Sequence, residues 1–273
     1  MDPVSTIERD FIFNAAKEGI RVDGRNLTEF RDIAIDLSRT DSQSSSIVSI
    51  GDTKVCAITN CEIVSGYSDH PNEGLFTIHV NVTPMGGREY TTELSDDVRF
   101  ELQRVLERSL KDNNTVDVES LCIIPGEKVF SVHCYVNIID NNGNIFDAAV
   151  LAATSSLCYF RRPDYSINGT QVRIYAPNEQ EPVPLCLHYQ PISISFCLLD
   201  SELTLLDPNE REEAVKEGMI SLVLNAFGEL CGVHFLGGIP VSESLLLRCG
   251  QIASAKANDI SAILKKALEK NSA

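Results

Sequence analysis

Between Lys128 and Ile139 the chain sets Phe130, Val132, Cys134, Val136 and Ile138 at every second position, with Ser131, His133 and Asn137 between them. Successive side chains of a strand point to opposite faces, so this period of two predicts a strand with one face on a core. Asn141-Asn142-Gly143 then turns the chain, and residues 147–160 read as an Ala-rich helix. Small side chains let such a helix lie close against a sheet, which leaves few architectures open.

The same order returns downstream. Strands are expected at 191–199 and 203–206, then an acidic helical turn around 209–217. A hairpin of strands 218–226 and 230–235 turns at Phe227-Gly228-Glu229. A long helix over 242–270 directs Leu245, Cys249, Ile252, Ile260, Ile263, Leu264 and Ala267 inward. Upstream, a helix over 5–18 starts at Ser5 or Thr6 and stops at Gly19. Strands follow at 30–37, 46–50, 53–64 and 75–82, with a hairpin at Gly51-Asp52. Ser95 is expected to cap a helix whose apolar face is Val98, Leu102, Val105, Leu106 and Leu110. Strands then a helix, twice, predicts an α+β fold of pseudo-duplicated strand–helix units, with mixed sheets packed on helices. No Gly/Ser-rich linker divides the chain, so residues 1–273 read as a single domain.

Charge narrows the function. The 39 acidic and 23 basic residues give a net charge of −16, which repels polyanions on average. The distribution is uneven. Residues 200–217 hold seven carboxylates against Arg211 and Lys216, while residues 248–270 hold Arg248, Lys256, Lys265, Lys266 and Lys270 against Asp259 and Glu269. The nine cysteines include no C-x-x-C pair, which argues against zinc ribbons and thioredoxin-like sites; they read as small core hydrophobes. Their odd number, and the absence of an apolar stretch after Met1-Asp2-Pro3, fit a reducing compartment. No apolar run is long enough for a membrane span, so no membrane partner is expected.

Single motifs say little about chemistry. The five histidines lack metal-ligand spacing, and no metal or cofactor is expected. Gly86-Gly87 and Gly237-Gly238 read as turns, with a phosphate cradle as the alternative. Arg21-Val22-Asp23-Gly24-Arg25 reads as a polar turn. Asp207-Pro208-Asn209-Glu210-Arg211-Glu212-Glu213 reads as a helix N-terminus, with a hard cation such as Mg²⁺ as the alternative.

Taken together, these segments resemble the RNase PH fold family, which includes phosphorolytic 3′→5′ exoribonucleases and the ring subunits of the RNA exosome. The resemblance rests on Arg21-Val22-Asp23-Gly24-Arg25 after the first helix, Glu73-Gly74 before a strand, and the run Glu119-Ser120-Leu121-Cys122-Ile123-Ile124-Pro125-Gly126-Glu127. It continues through Asn142-Gly143-Asn144-Ile145-Phe146-Asp147, Phe160-Arg161-Arg162-Pro163-Asp164, Glu181-Pro182-Val183-Pro184-Leu185 and Leu206-Asp207-Pro208-Asn209-Glu210. It spans roughly residues 5–270, and it is closer to the archaeal non-catalytic ring subunit than to the catalytic one.

The resemblance implies particular site residues. Active members carry Gly-Gly-Thr-Arg at the start of the Ala-rich helix, a phosphate clamp at a helix N-terminus. Those positions fall here on Gly143, Asn144, Ile145 and Phe146, which have neither the hydroxyl nor the charge. Two catalytic aspartates six residues apart fall on Arg211 and Glu217, with Glu210 or Glu212 at the first place if the register slips. The loop that is basic in active members reads Arg88-Glu89-Tyr90-Thr91-Thr92-Glu93-Leu94-Ser95-Asp96-Asp97. Arg104 stands where the resemblance implies an RNA-phosphate contact, and Arg108 is a further candidate on the same helix; the plain alternative is helix charges pairing with Glu101 and Glu107. The implied function is a non-catalytic exosome ring subunit. Its implied partners are other RNase PH-like subunits of a hetero-hexameric ring, cap subunits with S1 or KH modules, associated hydrolytic exoribonucleases, and RNA through the channel. Its implied location is nucleus, nucleolus and cytoplasm. An active phosphorolytic exoribonuclease and an acidic interaction protein without an RNA role are the alternatives.

Overall fold

The computed structural model describes residues 4–67, 69–83, 92–168, 171–176, 178–200 and 202–272. Gly86-Gly87 and residues 88–91 of the acidic loop lie outside them. Helix α1 (Thr6–Lys17) begins at Ser5, whose hydroxyl accepts the Glu8 N–H. The first sheet takes β1 (Ile33–Arg39), β2 (Gln43–Ile50), β3 (Thr53–Val64), β4 (Leu75–Val82), β5 (Cys122–Ile124) and β6 (Lys128–Asp140). Its order is β1-β2-β3-β6-β4, with β5 on β6. The β4–β6 pair is parallel and the others antiparallel, so the sheet is mixed. Phe130, Val132, Cys134, Val136 and Ile138 are buried, as the alternation predicts.

Helix α2 (Thr92–Leu106) packs on β4 and ends in a π-helical turn over Glu107–Lys111. It begins upstream of Ser95, which therefore lies within it and not at its cap. Helix α3 (Ile145–Tyr159) lies between β2 and β3 of the first sheet and β11 (Ile192–Leu198) of the second. It starts two residues before the expected 147, because Asn144 adopts a left-handed conformation (φ 56) and forms the cap position.

A seam of hydroxyls joins α3 to the first sheet. Ser44 Oγ donates to the Ser156 carbonyl at 2.8 Å, and the Thr59 and Ser156 hydroxyls lie 2.7 Å apart. That seam draws Gln43, Ser44 and Ser45 into β2, three residues before the expected start.

Short strands β7 (Arg161–Arg162) and β10 (Val183–Pro184) pair, and β8 (Tyr165–Asn168) forms a hairpin with β9 (Gln171–Ile174); these were not expected. The second sheet is antiparallel in the order β12-β11-β13-β14, with β12 (Thr204–Leu206), β13 (Gly218–Leu224) and β14 (Leu230–Gly237). Helix α4 (Glu210–Val215) precedes β13, and α5 (Glu243–Ser272) packs on β1, β11 and β13. Leu245, Cys249, Ile260 and Leu264 of α5 are buried, while Ile252, Ile263 and Ala267 are half-buried. The main core fills the space between the two sheets around α3, and a separate small cluster of Ile12, Ala16, Cys197, Leu199, Leu205 and Val215 lies under α1. All nine cysteines are free thiols. Among the described residues no helix is long and apolar enough to cross a membrane.

Candidate functional site

The start of α3 is the most heavily wired point of the molecule. Gly143 (φ 82) must be glycine there: a Cβ would stand 2.5 Å from the Asn209 carbonyl carbon and 2.6 Å from the Glu210 nitrogen. The close approach brings the acidic segment of α4 onto the helix start. Asn144 N–H donates to Glu213 Oε1 at 2.6 Å, so one of the chain's own carboxylates takes a position where helix N–H groups bind anions. Burial raises the Glu213 carboxyl, opposed by Lys216 and that N–H.

Behind this contact lies a buried polar network. Asn144 Nδ2 donates to Asp147 Oδ2 at 2.9 Å and to Asp207 Oδ1 at 2.6 Å. Asp147 also accepts from Ser193 Oγ at 2.7 Å, Ser195 Oγ at 2.7 Å and Ser195 N–H at 2.8 Å. Burial pushes its carboxyl up to about 7, against the pull of Ser195, Ser193 and Asn144. Ser195 Oγ further meets Ser221 Oγ at 2.7 Å.

Three arginines from the N-terminal segment close on residues 206–212. Arg21 donates to both oxygens of Glu212 and to the Leu206 and Asp207 carbonyls, and both its side chain and that of Glu212 are buried. Arg31 donates to both oxygens of Asp207 at 2.9 Å and to the Asn142 and Gly143 carbonyls, and Arg25 reaches Asp207 Oδ2 at 2.9 Å. Burial works to raise the Asp207 carboxyl, but Arg31 and Asn144 hold it below its ordinary value. Asn209 and Glu212 form a reciprocal capping box, so the acidic segment starts a helix, and Glu212 and Asp207 answer arginines. Arg21 and Arg25, read as a polar turn, are thus half of a clamp.

The predicted site residues divide into three places. Ile145 and Phe146 sit at the start of α3 and are buried. Arg211 and Glu217 are exposed and face α1: Arg211 lies 3.7 Å from Glu8, and Arg9 donates to Glu217 at 3.1 Å. The carboxylate that reaches the start of α3 is that of Glu213, a residue the spacing argument passed over.

Arg104 and Arg108 project from α2 and its π turn. Glu107 accepts instead from Gln103 at 3.1 Å, and among the described residues neither arginine is in an ion pair. Both lie near His234 of β14, whose ring is 6.1 Å from that of Phe146. The site residue missed in sequence was Arg31, whose partners Gly143 and Asp207 are more than a hundred residues away.

Comparison with known proteins follows the same lines. Residues 29–163 match the 3′ exoribonuclease family, domain 1, and residues 189–256 match domain 2 of that family. The chain is 37% identical over 98% of its length to a Danio rerio protein named exosome complex component RRP45, covering 68% of that protein. Identity to the Homo sapiens protein of that name is 38% over 98% of the chain, which spans 61% of the human protein's length. The Schizosaccharomyces pombe protein rrp45 is 32% identical over 96% of the chain and 90% of its own length. In structure, a chain of the Archaeoglobus fulgidus exosome with RNA bound to the active site superposes with a TM-score of 0.81, at 24% identity and 94% coverage of this chain and 97% of that one. A chain of an archaeal exosome core gives a TM-score of 0.78 at 23% identity, covering 95% of this chain and 96% of that one.

Proposed function

The chain belongs to the 3′ exoribonuclease family of RNase PH fold, and from that membership we propose that it is a non-catalytic ring subunit of an RNA exosome. In this reading it sits among other RNase PH-like subunits, lines a channel for single-stranded RNA, and leaves catalysis to associated hydrolytic nucleases. Cap subunits with S1 or KH modules complete the assembly, which works in nucleus, nucleolus and cytoplasm. The exosome names of relatives that match nearly the whole chain support the ring assignment.

The start of α3 carries the non-catalytic part. Phosphorolysis requires inorganic phosphate held in line with a terminal phosphodiester by a guanidinium fork, a hydroxyl and backbone N–H groups. Ile145 and Phe146 offer none of these side-chain groups, and Glu213 already accepts the Asn144 N–H. A carboxylate at that distance repels phosphate. Arg31, the guanidinium beside Gly143, is committed to Asp207 and two carbonyls. Leaving-group protonation needs a free acid near that point. Glu217, its nominal carrier, is paired with Arg9 of α1.

Arg104 and Arg108 supply the RNA contact of this subunit, as two cations that are in no ion pair among the described residues, on a chain of net charge −16. Acidity elsewhere is compatible with a channel whose phosphate contacts come mainly from neighbours. The chain co-purified with an RNase PH-like partner should show the same phosphate-dependent release of nucleoside diphosphates with Glu217→Ala as without it, within about twofold. A loss of about 100-fold, the usual effect of removing a general acid, would make this chain a nuclease. Native mass spectrometry of the tagged chain from cells should show RNase PH-like and S1-domain partners. Absence of both would leave the acidic interaction protein.

A further inference from the structure

A cavity of about 270 Å³ opens between the end of α2 and β14, lined on one side by Arg108, Asp112 and Asn113 and on the other by Cys231, Val233 and His234. Several of its polar groups are spent. Ser109 Oγ donates to the Val105 carbonyl at 2.7 Å, and Asn113 Nδ2 donates to the Cys231 carbonyl at 2.9 Å. Arg108, Asp112 and His234 remain, and Arg104 stands near the histidine just outside the lining. The Nε2 atom of His234 is buried and has no hydrogen-bond partner, an arrangement that costs free energy unless something else completes it. Among the described residues neither guanidinium group is in an ion pair, and with an unused ring nitrogen beside them their positive charge exceeds that of the single Asp112 carboxylate, an arrangement that suits one anion.

We propose that His234 is a third contact for an RNA phosphodiester gripped by Arg104 and Arg108, and that it takes up a proton from solvent when the phosphate binds. The proposal rests on the RNA-channel reading above and adds to it a residue and a pH dependence. The groups facing the imidazole are few. From α2 and its π turn come Arg104, Arg108 and Asp112; its own strand contributes the Cys231 thiol. From β13, Ser221 stands directly opposite, and α3 contributes the Phe146 ring. Asp147 lies farther in, behind Ser195 and Ser221.

In the free protein, burial first and the two arginines second hold the imidazole below its ordinary value of 6.5, which favours the neutral ring. A phosphodiester between the arginines cancels their field and accepts a hydrogen bond from Nε2–H, and both changes favour the imidazolium form. The bound group then titrates higher than the free one. Its extra affinity is therefore complete below the free value and fades as pH rises through the bound value.

The test is fluorescence anisotropy of labelled oligoadenylate with the assembled ring, between pH 6 and pH 8 at fixed salt. Wild-type affinity should rise about tenfold as pH falls, the equivalent of one pKa unit. His234→Gln, which can donate but cannot titrate, should give a markedly flatter profile. Arg104→Ala with Arg108→Ala should weaken binding at every pH. If the arginine variants bind RNA as wild type does, the channel reading fails and the histidine role with it. If the arginines matter but His234→Gln keeps the wild-type slope, the histidine role alone fails. NMR titration of the His234 imidazole in the full chain, assigned by its loss in His234→Gln, provides a readout independent of the other subunits. Oligoadenylate should move its midpoint upward and an equal concentration of inorganic phosphate should not. An equal shift with inorganic phosphate would make free phosphate the ligand and overturn the RNA assignment.

Discussion

Asp207→Ala is expected to destabilise the protein by about 3–5 kcal/mol, the scale for removing one partner of a buried ion pair. The side chain of Asp207 is fully buried and accepts from Arg25, from the side chain and backbone N–H of Arg31, and from Asn144. Alanine would leave Arg25, Arg31 and Asn144 without the carboxylate they share, and Arg31 with only carbonyl and hydroxyl partners. It would also place a Cβ residue without a polar side chain at φ 49, a left-handed conformation that aspartate tolerates better. The pH dependence has a definite sign. Because the folded-state carboxyl lies below its ordinary value of 3.8, its contribution is present above that value and is lost as pH falls through the folded one. Urea denaturation of wild type and variant at pH 7 and at pH 3 measures both effects: the gap between them should be wide at pH 7 and narrower at pH 3. A difference below about 1 kcal/mol at pH 7 would show that the arginines find other partners.

Asp147 should behave in the opposite sense. Asp147→Ala strands the Ser195 N–H, which lies in the middle strand of a buried sheet, and one Asn144 amide bond, at about 3 kcal/mol for the unsatisfied donors. Its carboxyl is raised by burial to about 7, so the folded state binds this proton more tightly than the unfolded chain does. Stability from this group is therefore complete below the unfolded value near 4 and declines as pH rises toward 7. Asp147→Asn removes the titration while keeping the shape. The stability gap between wild type and Asp147→Asn should be largest near pH 4 and shrink by pH 8, as read from parallel denaturation curves. A gap that grows with pH would mean that the four donors hold the carboxylate ionised throughout.

The fold was legible wherever one periodic pattern ran unbroken. The alternation at 128–139 and the helix stripe at Leu245, Cys249, Ile260 and Leu264 both report burial directly, and both stand in the structure. Boundaries failed where burial is polar. Ser44 stands before the expected strand start, yet it is buried and tied to Ser156 across 112 residues. The short hairpin at 165–174 has too few residues to set a period. At the candidate site, the family pattern directed attention to Ile145 and Phe146, and both lie at the start of α3. The same pattern pointed to Arg211 and Glu217, which face α1, while spacing alone could not reveal that Glu213 turns toward Asn144. Arg31 carried no local signal at all, since its partners Asp207 and Gly143 meet it only through the tertiary fold.

Helix α1 closes on the rest of the molecule in a different way from every other helix. Its buried contribution is Ile12 and Ala16 in a cluster separate from the main core, while Ile7 and Phe11 face outward and its ion pairs, Arg9–Glu217 and Glu8–Arg211, are exposed. Ion pairs in water add little and weaken with salt. The free energy of peeling α1 away is thus set by a handful of side chains. Local opening of α1 is therefore expected ahead of global unfolding, and hydrogen exchange of its amides should be faster than that of the two-sheet core. Such an opening would uncover Cys197, Leu205 and Val215 on the underside of the second sheet.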